Sequence, residues 1–329
     1  MSGREIMYRD AIRDAQREEM LRDPNVFVIG EDVRDPWRGT YKATAGLSSE
    51  FGDQRVVNTP IAEETVIGIA LGAALTGLRP VAELMYIDFV TRAMDAVCLQ
   101  VAKIHYMTGG QAKVPLVIRT QGGGGLASGA HHGNSLEAWI CHVPGLFVAM
   151  PSTPYDAKGL LKTAIRMDDP VFFIEHKMLY TTKQVIPDEE YIVPFGLADI
   201  KRQGQDVTIV ANSRMVLLAL EAALALEKEG ISAEVIDPRT LVPLDDETIL
   251  DSVRRTNRLV VVNEGVERCG WAAELAALVQ KRAFSDLDAP VERVCSRNVV
   301  LPFQPDLERY VLPSVPDIVR AAKVSLGKA

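Results

Sequence analysis

Residues 55–85 read RVVNTPIAEETVIGIALGAALTGLRPVAELM: a strand-like run, two adjacent carboxylates, an uncharged stretch over 65–75, and a second apolar run from 79. Thr59 followed by Pro60 is an ordinary helix entry, because proline suits the first helical turn. The segment therefore predicts strand, helix, strand. Apolar strands separated by helices form a parallel sheet covered on both faces.

The same alternation extends in both directions. A first helix over 8–21 turns Ala11, Ile12 and Ala15 inward, and RDPN stops it before the strand VFVIG at 26–30. Beyond 85 come a long helix from Thr91, VPLVIRT at 114–120, a glycine-rich loop, LFVAM at 146–150, a helix entered through PSTPYDAKGLLKTAI, and PVFFIE at 170–175. A polar, proline-containing stretch then reads as a linker, 186–205, separating a first domain over 1–185 from a second over 206–329. In the second, DVTIVA, a helix from about 214, SAEVIDP, a helix across 245–256, RLVVVNEG, a helix after Gly270 and PVERV repeat the pattern. The expected fold is α/β, with two such units, the second smaller.

Composition narrows the function. With 329 residues, 47% of them apolar, there is material for two cores. A net charge of −8 argues against a general polyanion binder, so nucleic acid is not an expected partner. Cys98, Cys141, Cys269 and Cys295 lack any paired-ligand spacing and read as reduced thiols of a cytoplasmic protein. The N-terminus has no apolar signal core, and no stretch approaches the ~20 apolar residues of a membrane span.

Three features carry chemistry. The run TQGGGGLASGAHHG, 120–133, follows a strand, where ligand loops of α/β sheets lie, but fits neither G-x-G-x-x-G nor a P-loop. His131 and His132 are either an ordinary loop pair or proton carriers; with Cys141 and His142 they lack zinc spacing. For Glu63 and Glu64, the helix dipole alone accounts for two acids in a first turn. Yet neighbouring helical residues diverge by roughly 100°, so the two do not share one pocket, and one is free to face inward as a proton-transfer group. Gly68 and Gly72, four apart, imply tight burial of at least one side of that helix.

In order along the chain, VFVIGEDV, NTPIAEE, GLRPVAELMYIDF, QVAKIHYMTGG, AHHGNSLEAW, PSTPYDAKGLLKTAI, DPVFFIEHK and EVIDPRTLVPLD resemble the β subunit of heterotetrameric thiamine-diphosphate-dependent 2-oxo acid dehydrogenases, from about 5 to 325. The resemblance implies two doubly wound domains, an N-terminal pyrimidine-binding domain and a C-terminal transketolase-like domain. It implies that Glu63 hydrogen-bonds a ring nitrogen of the cofactor's aminopyrimidine and activates its thiazolium carbon. Phe89 matches the aromatic packed on that ring, with Ile61, Met85 and Glu31 lining the same pocket. His132 matches the histidine that assists proton transfer and acylation of a lipoyl arm; His131 stands where glutamine is common. Backbone carbonyls and an acid at Leu116, Ala164, Ile165, Met167 and Asp169 correspond to a potassium site of some relatives.

The superfamily holds its magnesium through Gly-Asp-Gly, and this chain has none. The resemblance therefore implies a separate α subunit supplying magnesium and diphosphate contacts in an α2β2 assembly, with a lipoyl acyltransferase and a dihydrolipoyl (flavin) dehydrogenase downstream. Acetoin or pyruvate fits the EHK and PSTPYDAKGLL versions better than a branched-chain acid. A sugar-transferring transketolase-like enzyme and a non-catalytic scaffold are the alternatives.

Overall fold

The computed structural model describes residues 3–328, in two compact units: one of residues up to Gly122 with Trp139–Phe195, the other of Gly123–Ala138 with Gly196 onward. In the first unit the strands are β1 (Gly3–Met7), β2 (Val26–Glu31), β3 (Val56–Thr59), β4 (Arg79–Leu84), β5 (Val117–Gly122), β6 (Phe147–Ala149), β7 (Val171–His176) and β8 (Lys183–Pro187). Helices α1 (Tyr8–Arg22), α2 (Leu47–Phe51), α3 (Glu63–Leu75), α4 (Val90–Asp95), α5 (Ile104–Met107), α6 (Glu137–Cys141) and α7 (Pro154–Arg166) alternate with them along the chain. Six strands pair in parallel in the order β6-β7-β5-β4-β2-β3. Residues of the inner strands, such as Val28, Val81, Ile118 and Phe172, are fully or almost fully buried, as a sheet covered on both faces requires. Apart from these, β1 and β8 pair antiparallel, from Gly3 opposite Pro187 to Met7 opposite Lys183.

The order of the six strands has a functional consequence. The chain steps from β2 outward to β3, then crosses back to β4 on the other side of β2. That reversal opens a crevice at the C-terminal ends of β2 and β4, the usual address of ligands in such sheets. Glu31 is the last residue of β2, Met85 follows β4, and α3 begins at Glu63 just beyond β3.

The second unit carries β9 (Asp199–Arg202), β10 (Val207–Ala211), β11 (Ala233–Asp237), a short β12 (Thr240–Val242), β13 (Leu259–Val266) and β14 (Glu292–Ser296). Its helices are α8 (Met215–Glu227), α9 (Asp246–Thr256), α10 (Trp271–Arg282), α11 (Pro305–Val311) and α12 (Val315–Ser325). The sheet runs β14-β13-β10-β11-β9, parallel except for the antiparallel edge β9. Ile209, Val235, Val260, Ala219 and Ile318 form its core.

Two expectations differ from what is found, and a third holds for one side of its helix. Instead of one long helix from Thr91, α4 passes into a π-turn over Ala96–Val101 before α5. There Ala102 abuts Gly145, whose φ is +103° and where a Cβ would fall 2.0 Å from the Ala102 oxygen. The stretch expected as linker carries the end of β8 and all of β9, whose backbone pairing outweighs its polar composition. Finally, α3 buries Val66, Ile67, Ala70 and Ala74, but Gly68 and Gly72 stand on its open side, where an added Cβ would meet nothing within 4 Å.

Candidate active site

At the crevice of the first unit, β2 delivers Glu31, the turn after β3 delivers Ile61 and Glu63, and the turn after β4 delivers Met85 and Phe89. Glu63 is half-buried at the start of α3, whereas Glu64 is exposed. The helix geometry thus gives the two acids different surroundings. Ala62 provides no side-chain cap, so Glu63 and Glu64 are the groups that complement the positive end of α3. Burial, then the charges of Asp32 and Glu63, push the Glu31 carboxyl above its ordinary range.

The surrounding wall is apolar and aromatic. Phe89 is half-buried with its ring 6.4 Å from that of Tyr86, and Met85 accepts a hydrogen bond at sulfur from the Thr40 hydroxyl. Ile61, at 74% exposure, is the open rim. At the end of β3 the Thr59 hydroxyl is buried with no hydrogen-bond partner among the described residues. The ends of β2, β3 and β4 thus carry two carboxyls, an aromatic, a thioether and a buried hydroxyl. Apolar walls with a few polar groups are the usual make-up of a small-molecule site.

Behind this crevice lies a charged network that the sequence reading missed. Arg119 of β5, fully buried, donates to both oxygens of Glu175 on β7 at 2.7 and 2.8 Å and to Glu83 on β4 at 2.8 Å. Tyr180 donates to Glu175 at 2.6 Å. Tyr41 stacks on Tyr180 with centroids 4.5 Å apart and meets Tyr86 edge-on at 6.2 Å. The ladder of rings thus runs from the buried ions to Phe89. Desolvation outweighs Arg119 at Glu83 and raises its carboxyl, while burial and a hydrogen bond to Tyr86 raise the Tyr41 phenol. The available signal was one charged residue set in each of three apolar strands: VAEL, VIRT and FFIE.

The histidine pair lies in the second unit, on the loop after Gly122, with His132 half-buried and His131 exposed. Glu264 accepts from the Gly124 N–H at 2.6 Å and from the Ser135 hydroxyl at 3.3 Å; Glu308 accepts from the N–H groups of Gly125 and Ala127 at 2.9 and 2.8 Å. His142 is exposed. Among the described residues no group of three His, Cys, Asp or Glu is placed to hold a metal, and no helix is long and apolar enough to cross a membrane.

The five potassium candidates fall around the end of α7 and the start of β5. The Leu116 carbonyl accepts from Val171 N–H at 2.9 Å, and the Ala164 carbonyl from Met167 N–H at 3.3 Å. Arg79 reaches the Met167 carbonyl at 3.4 Å and binds Asp168 at 2.8 Å. Each carbonyl has a second lone pair left for a cation. A fixed guanidinium nevertheless already serves this corner.

Comparison with known proteins places these features in a family. Residues 4–183 match "Transketolase, pyrimidine binding domain" and residues 196–318 match "Transketolase, C-terminal domain". The chain is 47% identical to the pyruvate dehydrogenase E1 component subunit beta of Rickettsia felis, over 97% of this chain and 98% of that one. Identity is 45% to the acetoin:2,6-dichlorophenolindophenol oxidoreductase subunit beta of Bacillus subtilis, with 99% and 98% covered. It is 43% to the 2-oxoisovalerate dehydrogenase subunit beta of the same organism, with 98% and 99% covered. Among solved structures, a split-gene transketolase, described as an inactive beta4 tetramer, superposes with a TM-score of 0.81 at 26% identity over 98% of both chains. On this agreement of both domains and of full-length relatives, the chain belongs to the family of β subunits of thiamine-diphosphate-dependent 2-oxo acid and acetoin dehydrogenases.

Proposed function

We propose that this chain is the β subunit of a pyruvate or acetoin dehydrogenase component, with Glu63 activating thiamine diphosphate and His132 serving acyl transfer to a lipoyl group. The observation that supports the proposal is that Glu31 ends β2, Glu63 opens α3 just after β3, and Met85 and Phe89 follow β4, with the charge of Glu63 acting on Glu31. Thiamine diphosphate, when bound, supplies the chemistry of cleaving the bond next to the substrate carbonyl and carrying the acyl unit. Glu63 would hold a proton at a carboxyl oxygen shared with a ring nitrogen of the aminopyrimidine. Glu31, whose carboxyl is raised by burial and by its acidic neighbours, would be the second polar group of the pocket. Phe89 and Met85 would help hold the ring, with Ile61 at the exposed edge.

The chain contains no Gly-Asp-Gly. Magnesium and the diphosphate therefore fall to an α subunit, with α2β2 as the assembly and a lipoyl acyltransferase and a flavin dehydrogenase completing the cycle. The open side of α3, with Ile69 and Leu75 exposed, supports a partner there. A cytoplasmic location belongs to the same proposal. Potassium at Leu116, Ala164, Ile165, Met167 and Asp169 belongs to it too; a melting temperature raised by potassium chloride but not by choline chloride supports that site, and equal values sink it.

Relatives acting on pyruvate, acetoin and 2-oxoisovalerate are almost equally similar, so substrate is settled by assay. The chain, purified with the α subunit, is given thiamine diphosphate, magnesium and dichlorophenolindophenol with each candidate. Faster dye reduction with acetoin or pyruvate than with 3-methyl-2-oxobutanoate is the expected result. Ketose-dependent transfer in place of dye reduction would instead establish a transketolase-like enzyme.

A further inference from the structure

The loop that carries His132 is fastened by the C-terminal segment of the second unit. We propose that Glu308 is a positioning residue for His132, holding the loop in the conformation from which that histidine acts, with Glu264 as the second anchor. The proposal rests on the role given to His132 above.

Glu308 sits on α11, 183 positions from Gly125 in sequence, and is only 2% exposed. One carboxylate oxygen accepts from Gly125 N–H and the other from Ala127 N–H. Both of its carboxylate oxygens are met by backbone N–H dipoles, as in an anion-binding nest. A buried carboxylate is costly unless its hydrogen bonds are geometrically fixed, so the loop can leave Glu308 only by stranding the charge. Ala127 itself has φ of +51°, a left-handed conformation that a residue with a side chain seldom adopts unless its surroundings impose it.

The residues flanking Glu308 reinforce the clamp. A Cβ at Gly124 would meet Leu312 at 2.9 Å, one at Gly133 would meet Leu301 at 2.4 Å, and one at Gly129, where φ is +79°, would meet Phe303 at 3.2 Å. Residues 301–312 therefore press on the loop at its start, middle and end, and glycine is what lets them do so. Within the loop, the Ser128 hydroxyl donates to the His132 carbonyl at 2.9 Å and the Asn134 amide to the Ala130 carbonyl at 2.7 Å. His132 lies between the Glu308 anchor at 125 and 127 and the Glu264 anchor at 135. A displaced anchor is thus passed on to the histidine rather than absorbed at a hinge.

The test uses the assembled enzyme with its α subunit and compares Glu308→Gln, Glu308→Ala and His132→Gln. Three quantities are read: lipoyl-domain acylation, dye-coupled oxidation, and amide hydrogen exchange over residues 123–134. Glu308→Ala is expected to slow acylation at least about tenfold more than dye reduction, within the roughly hundredfold that a 1 Å misplacement can cost. Loop exchange should quicken in parallel, and Glu308→Gln, which keeps one acceptor oxygen, should fall between Glu308→Ala and the parent. Equal proportional loss of both reactions, or unchanged loop exchange, would overturn the role of Glu308. If His132→Gln itself leaves acylation intact, the role of His132 fails, and the positioning role with it.

Discussion

At the scale of single residues, the two acids of NTPIAEE part company. Glu63 is half-buried at the crevice and Glu64 is exposed, a separation that follows from about 100° per residue on a helix. The NTPIAEE motif made the pair legible in the sequence, but nothing there disclosed that Glu31 lies near enough to feel the charge of Glu63. Their nearness is created by strand order, not by spacing. Because the folded-state pKa of Glu31 is raised, the folded chain holds its proton longer than the unfolded chain does. Stability therefore falls as pH rises from the ordinary carboxylate range through the raised value. Glu31→Gln, without cofactor, should melt above the parent at neutral pH, and the two should converge below about pH 4, where both side chains are uncharged. A variant no more stable than the parent at neutral pH would contradict this. The thiols differ likewise: burial pushes Cys295 up to about 12, with Arg293 opposing, and Cys269 is exposed. Ellman's reagent on the native chain should modify Cys269 and spare Cys295. Rapid reaction at Cys295 would show that its burial is wrongly placed.

At the scale of elements, the three charges inside β4, β5 and β7 decide more than any apolar pair. Arg119 is fully buried between Glu83 and Glu175. Such an arrangement is weak evidence of stabilisation in itself, but removal of one partner leaves the others charged in a low-dielectric interior. Arg119→Met should cost about 3–5 kcal/mol in urea denaturation. The deficit should shrink at mildly acidic pH, where Glu83, whose carboxyl is already raised by burial, can take up a proton instead. A loss under about 1 kcal/mol at neutral pH would mean the network is better solvated than its burial indicates. Helix α3 shows where pattern reading stops. Its uncharged run predicted burial, and Val66, Ile67, Ala70 and Ala74 comply, yet Ile69 and Leu75 stay exposed at 50% and 43%. Periodicity cannot assign an apolar all-round helix a covered and an open side, because the second side is not matched to anything in its own chain.

At the scale of the whole molecule, strand–helix alternation made the two α/β units legible, since continuous apolar strands have few other destinations. Long-range assignments were not. The pairing of β1 with β8 joins residues about as far apart as Glu5 and Val185, and the loop 123–138 follows β5 in sequence but packs within the second unit. Both depend on partners more than a hundred positions away, such as Glu308 for Gly125, and no local propensity encodes them. The decisive measurement is turnover of the purified αβ assembly carrying Glu63→Gln, beside Glu64→Gln and the parent, with assembly checked by sedimentation. Glu63→Gln should lower turnover at least about a hundredfold with assembly intact, as for a group whose proton the reaction uses, while Glu64→Gln should disturb assembly first. Unchanged turnover in Glu63→Gln, or equal catalytic loss in both, would contradict the assignment of this site.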